Sequence, residues 1–216
     1  NSAHYDGVIE SLEARGLRVI PAFASGLDAR PAVKAFFMDR GEPIVDAVVS
    51  LTGFSLVGGP AYNDTDAAQE TLEALDVPYL AVQGLEFQSL QDWESSSIGL
   101  MPVEATMMVA IPELDGATGS MVFGGRSELS AGEKFDMQPA PERIDRLADR
   151  VARLVALRHT PIAERKVAIV LFNFPPNSGA AGTAAHLSVR VLIQYALSDA
   201  GGGLPRRPPG LPRRTS

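Results

Sequence analysis

Two groups of residues in this chain have the types and spacing to do chemistry. The first lies in "FNFPPNSGAAGTAAHL", residues 172–187, where a strand-like run gives way to a glycine loop and then to a helix. A loop of this kind turns backbone N–H groups and a helix N-terminus toward an anion. A phosphate-binding P-loop needs a lysine and a hydroxyl after its last glycine. Here Gly182 is followed by Thr183 and Ala184, so ATP hydrolysis by this chain is not expected. The dinucleotide fingerprint is missing too, because Gly179 and Gly182 leave no G-x-G pair. What remains is an anion-accepting turn capped by Ser178 or Thr183, or else glycines that only permit a tight turn and close packing. His186 falls one turn into the helix, near the carboxyl end of the strand, where open α/β sheets bind ligands; a packed or solvated histidine is the plainer reading.

The second group is three carboxylates. Glu104 lies within a helical pattern, while Glu113 and Asp115 follow Pro112 in a stretch read as a loop, where functional carboxylates are often placed. Capping or simple exposure would explain them as well. The chain has no cysteine, so any metal must be held by oxygen or histidine nitrogen.

These groups need a scaffold, and the patterning supplies one. In "HYDGVIESLEARGLRVIPAF", Val8, Ile9, Leu12 and Leu17 recur at helical spacing, and the chain turns at Gly16 into a strand-like run, "LRVIPAF". "VDAVVSLTGF" is a continuous apolar run of the kind covered on both faces, followed by the glycine loop "GFSLVGGP". "TDAAQETLEALDVPYLAV" repeats helix then strand, with Ala68, Leu72 and Leu75 facing inward. "PVEATMMVAIPELDG" is a helical pattern with Val103, Met107 and Val109 apolar, closed by Pro112. Its methionines read as core filling. "SMVFGG" is a short strand, and "ERIDRLADRVARLVALR" an amphipathic helix with Ile144, Leu147, Val151 and Leu154 on one face and solvated arginines on the other. "KVAIVLFNFPP" is the strongest strand of all.

Alternating units of this length predict an α/β fold of parallel sheets flanked by helices, in parts of two layered domains. The expected division is a partial α/β domain over 1–125, a linker over 126–142, a helix and the start of a second α/β unit over 143–189, and a tail over 190–216. A first strand is expected to precede the opening helix, as though the chain began inside a larger protein.

Bulk properties narrow the function. With 216 residues, 45% hydrophobic and 21% charged, the chain can bury a core. A formal net charge of −7 argues against a nucleic-acid or acidic-membrane surface. No apolar run approaches the ~20 residues of a bilayer span, and the N-terminus has no signal-peptide pattern, so the expected location is cytoplasmic.

Several segments together resemble one family, the large porphyrin-binding H subunits of magnesium chelatases, related to the large subunits of cobaltochelatases. The matching stretches are "HYDGVIESLEARGLRVIPAFASGLD", "VVSLTGFSLVGGPAYND", "LDVPYL", "PVEATMMVAIPELDG", "VFGGR" and "VAIVLFNFPPNSGAAGTAAHL", in family order from His4 to Val189. "SLTGFSLVGGP", "AIPELDG" and "FPPNSGAAGTAAHL" are the specific ones, and their detail is closer to the magnesium enzymes of bacteriochlorophyll biosynthesis. The resemblance implies ATP-dependent insertion of Mg2+ into protoporphyrin IX, with this chain part of the porphyrin-holding component. It also implies an AAA+ motor subunit and a companion that hydrolyse the ATP, so the chain itself needs no bound cofactor. Mg2+ would be a substrate, and no metal ligands are assigned.

Mg2+ is a hard cation that prefers oxygen and sheds water reluctantly, and two pyrrole N–H protons must leave. Carboxylates or a histidine would serve both needs. On this reading Glu113 and His186 are the candidate catalytic residues. Gly179, Gly182, Thr183, Glu104 and Asp115 are the candidate substrate-binding residues, the glycine turn receiving a porphyrin propionate. The alternatives are a cobaltochelatase large subunit acting on a corrinoid, and a non-enzymatic two-lobed module that binds a small anion.

The large subunits of the family are several times longer than this chain, so a fragment is expected, inactive by itself. After Val189 the resemblance stops, and "GGGLPRRPPGLPRRTS" has the bias of disorder or of out-of-frame reading. "RVLIQYAL" can be back-translated so that restoring two bases yields "FESLFNTL", close to what the family carries there, which suggests a frameshift at Arg190.

Overall fold

The computed structural model describes residues 2–59, 61–127, 136–166 and 168. Internal contacts divide the chain into Asn1–Arg158 and His159–Ser216. In the second unit the described residues carry a single 3-10 turn, Ile162–Glu164; everything below concerns the first.

The chain opens with α1 (Ala3–Glu13) and runs through α2 (Arg30–Phe36) and a short hairpin of β1 (Met38–Asp39) and β2 (Glu42–Pro43) to β3 (Val48–Ser50). A second hairpin, β4 (Gly58–Gly59) and β5 (Tyr62–Asn63), leads into α3 (Thr65–Leu75). Then come β6 (Tyr79–Ala81), β7 (Gln83–Ser89) and α4 (Leu90–Ser95). A composite helix follows: α5 (Pro102–Glu104), a π-helical stretch (Ala105–Ala110) and α6 (Ile111–Asp115). β8 (Val122–Ser127), β9 (Asp136–Pro139) and α7 (Pro141–His159) complete the unit.

Parallel pairing dominates the main sheets, in keeping with an α/β fold. β3 lies parallel to β6, with Val48 opposite Tyr79, and β7 lies parallel to β8. Strand alternation explains why these segments are apolar throughout. Leu80 and Val82 point into one core, with Val8, Leu12, Phe123, Ile144, Leu147 and Val151. Tyr79 and Ala81 point into another, with Val48, Leu56, Ala68 and Leu75. Helices α1 and α7 cover the first face and α3 the second.

Three expectations are modified. "LRVIPAF" forms no strand: Leu17 and Val19 pack against the first core, but residues 17–23 have no ladder partner among the described residues. Apolar alternation reports burial, whereas a strand also needs a neighbouring backbone to pair with. Residues 126–142, expected as a linker, carry the end of β8, all of β9 and the start of α7. β9 pairs antiparallel with β8, and Ala140 N–H donates to Phe123 O at 2.9 Å. The arginine face of α7 also does more than meet water. Arg150 donates to Gly119 O at 3.1 Å, Arg158 to Asp76 O at 2.6 Å, and Asp149 accepts from Arg15 at 2.6 Å.

His4 is buried on α1, with its ring stacked on Phe123 at 5.7 Å between centroids. Burial holds its pKa below the usual histidine value, against the pull of Asp136, Asp6 and Glu86. The unfolded chain therefore binds the proton more readily than the folded one. This contribution to stability is complete above the unfolded value of about 6.5 and falls as pH drops through it toward the lower folded value. Urea midpoints measured from pH 7.5 to 5 should decline less steeply in His4→Phe than in the parent chain.

Candidate functional site

The site is built on residues 102–115. The sequence places a helix here but ends it at Pro112, with Glu113 and Asp115 in a loop. In the structure the helix runs on to Asp115 and stops at Gly116, whose φ of 110° suits a glycine cap. A proline inside an α-helix collides with the carbonyl four residues back. The widened π-turns from Ala105 to Ala110 immediately precede Pro112 and relieve that conflict; such π segments are frequent at functional sites.

The buried face is also not the apolar one. Val103 is exposed and Met107 and Val109 are half-buried, while Glu104, Met108, Pro112 and Asp115 line the interior. Two carboxylates thus occupy the stripe where a helix ordinarily carries leucine or valine.

Asp115 is 1% exposed. Its Oδ2 accepts from the Ser55 hydroxyl at 2.7 Å and from Leu56 N–H at 2.8 Å. The Ser55 Oγ in turn accepts from Val57 N–H at 3.2 Å, and Leu56 O accepts from Ala29 N–H at 3.0 Å. Gly58 N–H donates to Leu27 O at 2.6 Å. "FSLVGG" and "PELDG" therefore meet at one carboxylate, and "SGLDA" is bonded to the far side of the same loop. The loop it holds, residues 51–59, leaves the carboxyl end of β3, where parallel sheets present ligand sites.

Glu104, fully buried at the other end of the helix, accepts through Oε2 from the Gln88 side chain and from Met101 N–H at 3.1 Å. The second bond is half of a capping box, with an N3 glutamate reaching back to the residue before the helix. Glu113 is exposed. Of the three carboxylates on this helix it is the one exposed to solvent.

An open depression of about 560 Å³ is lined by Asp115 together with Leu72, Asp76, Tyr79, Gly116 and Thr118 among others. Burial pushes the Tyr79 phenol up to about 12, with the Asp115 charge adding to the shift, so Tyr79 offers a neutral hydroxyl and no phenolate base. Among the described residues no group of three or more His, Asp or Glu is arranged to hold a metal ion. His186, Gly179, Gly182 and Thr183 lie outside the described residues. Ser55 and Gln88 do not stand out from the sequence as site residues. The signal for Ser55 is local: serine hydroxyls commonly accept from the N–H two residues on, as in "SLV" here.

Gly58 shows how tightly the loop is built. Its φ is +123°, and a Cβ there would lie 2.3 Å from Tyr62 O and 2.6 Å from Asn63 Cα. Gly58→Ala should cost about 1–3 kcal/mol of stability from backbone strain, read as a lowered thermal or urea midpoint.

The CobN/Magnesium Chelatase family model matches residues 1–199. The chain is 54% identical over 202 residues to the H subunit of magnesium chelatase from Rhodobacter capsulatus, an alignment covering 88% of this chain and 17% of that protein. It is 42% identical over 201 residues to the chloroplastic magnesium-chelatase ChlH protein of Oryza sativa subsp. indica, covering 92% of this chain and 14% of that one. Among solved structures, the catalytic subunit of cobaltochelatase from Mycobacterium tuberculosis matches with a TM-score of 0.67 and 26% identity, over 93% of this chain and 17% of that one. The chain thus spans less than a fifth of the length of these relatives.

Proposed function

Because this chain belongs to the CobN/magnesium chelatase family, we propose that it is a segment of the large, porphyrin-binding component of a magnesium chelatase, which inserts Mg2+ into protoporphyrin IX in (bacterio)chlorophyll biosynthesis. The observation that carries the choice of metal is the identity: 54% and 42% to two magnesium-chelatase proteins, against 31% to the aerobic cobaltochelatase subunit CobN of a Sinorhizobium species and 26% to the solved cobaltochelatase subunit. Family membership also favours a chelatase component over a two-lobed anion-binding module. The reaction forms nitrogen–metal bonds, so the complex is a ligase. Its ATP is hydrolysed by an AAA+ motor subunit and a companion, and in a bacterium the assembly works in the cytoplasm. No helix among the described residues is long and apolar enough to cross a membrane.

The division of labour follows from exposure. Insertion needs acceptors for two pyrrole protons and oxygen donors for a cation that gives up water slowly. Glu113, exposed at the end of the composite helix, takes a proton or a water-bound Mg2+ from the solvent side. Glu104 and Asp115 hold the surfaces on either side of it through the hydrogen bonds described above. His186 is assigned a second proton-accepting role, and the backbone at Gly179, Gly182 and Thr183 the binding of a porphyrin propionate. Unchanged porphyrin affinity after bulky replacement of Gly182 and Thr183 would remove that last assignment.

The test is a fluorescence titration of the chain with deuteroporphyrin, with a corrinoid as control and no ATP. Saturable quenching selective for the porphyrin supports the reading. A folded chain that binds neither, or prefers the corrinoid, counts against a porphyrin surface in this segment.

A further inference from the structure

We propose that Asp115 is a positioning residue: it sets the shape of the loop over residues 51–59 for the reaction, and neither contacts the metal nor accepts a proton. The inference deepens the chelatase reading and rests on it. Its grounds are geometric. The carboxylate is 1% exposed, and one oxygen already accepts two hydrogen bonds, from the Ser55 hydroxyl at 2.7 Å and Leu56 N–H at 2.8 Å. The other oxygen is buried and makes no hydrogen bond. Asp115 lines the open depression described above, yet as a residue it is only 1% exposed and its second oxygen is fully buried.

What the carboxylate holds is the turn that follows β3. Leu56 is tied on its N–H side to Asp115 and on its C=O side to Ala29 N–H, so these bonds fix one residue, through its two flanking peptides, between the helix end and the start of α2. Met108, on the same buried stripe, packs its side chain against Gly53, with Cγ 3.4 Å from where a Cβ would stand. The loop is thereby held at two points along one helix face. Bonds to a carboxylate are the stronger kind; their loss strands the buried Leu56 N–H and leaves the Ser55 hydroxyl only Val57 O, at 3.2 Å, as an acceptor. Nothing in this arrangement requires a negative charge. A single amide oxygen could accept both bonds, and its NH2 would occupy the place of the unbonded oxygen.

That last point separates positioning from chemistry. The experiment uses the full-length large subunit that carries this segment, assayed with its motor and companion subunits, Mg2+, ATP and porphyrin, alongside amide hydrogen exchange of the peptide over 51–63. Asp115→Ala should speed exchange at Leu56 about ten- to hundredfold and raise the porphyrin KM by more than it lowers kcat. Asp115→Asn should restore both toward the parent values. Ser55→Ala, which leaves the carboxylate in place, should shift exchange and KM in the same direction as Asp115→Ala but less far, and it keeps the test decisive if Asp115→Ala does not fold.

Loss of kcat in Asp115→Asn with exchange unchanged would overturn the proposal and make Asp115 a catalytic or metal-contacting group. Unchanged exchange in both Asp115→Ala and Ser55→Ala would overturn it as well. A parent protein that makes no magnesium porphyrin would instead overturn the chelatase reading, while the exchange result would still decide whether Asp115 holds the loop.

Discussion

Glu113→Gln in the full-length subunit is expected to lower the rate of Mg2+ insertion by about 10²–10⁴-fold, the range removed with a positioned acid or base, while leaving porphyrin affinity within a few-fold of the parent. The helix over 102–115 carries three carboxylates of very different standing. Glu104 and Asp115 are buried with their hydrogen bonds directed into the protein, whereas Glu113 is exposed. A glutamine keeps the size and polarity of that side chain and loses both its charge and its basicity, so the substitution separates proton or cation uptake from simple occupancy. Single-turnover assays with saturating porphyrin, metal and ATP measure it. Parent-like turnover in Glu113→Gln would pass the role to His186 or to groups elsewhere in the full-length protein.

The second large effect concerns stability. Phe123→Ala is expected to destabilise the first unit by about 3–5 kcal/mol, the range for deleting a buried aromatic ring. Phe123 is 1% exposed, sits on β8, and joins Val8 and Leu12 of α1, Leu80 and Val82 of the sheet, and Ile144, Leu147 and Val151 of α7 in one core. It also stacks on His4. Removing it opens a cavity bounded by both helices and the sheet, which cannot collapse around it. Total stabilities of about 5–15 kcal/mol are ordinary, so the variant should unfold at a much lower urea concentration. A shift of less than about 1 kcal/mol would mean that α1 and α7 do not pack on this face as described.

Much of this architecture is legible in the sequence. The continuous apolar runs "VDAVVS" and "VPYLAV" form the parallel pair β3 and β6 because each strand is covered on both faces, and burial leaves no polar face to read. α1, α3 and α7 are legible from their 3.6-residue period. What escapes has physical reasons. β9 is four residues of mixed polarity, recognisable only by its pairing with β8. The run "LRVIPAF" packs only Leu17 and Val19 partly against a core, leaves Phe23 exposed, and has no partner strand among the described residues. The helix through Pro112 is hidden because its proline normally stops a helix and its buried stripe is carboxylate, a composition that reads as surface.

The candidate site is legible in its residues and not in their roles. Glu104, Glu113 and Asp115 stand out as carboxylates, but spacing alone does not tell which two turn inward. That depends on the π-turns and on Ser55, Leu56 and Gln88, donors some 16 to 60 positions away in the chain. "FSLVGG" and "PELDG", both in the pattern that resembles the family, meet at one carboxylate, where each completes the other's hydrogen bonds.

The most direct test is reconstitution. The full-length protein carrying this segment, combined with its motor and companion subunits and ATP, should convert protoporphyrin IX and Mg2+ to the magnesium porphyrin, followed by its absorbance and fluorescence, and should leave a corrinoid with Co2+ unchanged. Cobalt insertion into the corrinoid with no magnesium porphyrin formed would contradict the magnesium reading and move the chain to the cobaltochelatase branch of its family.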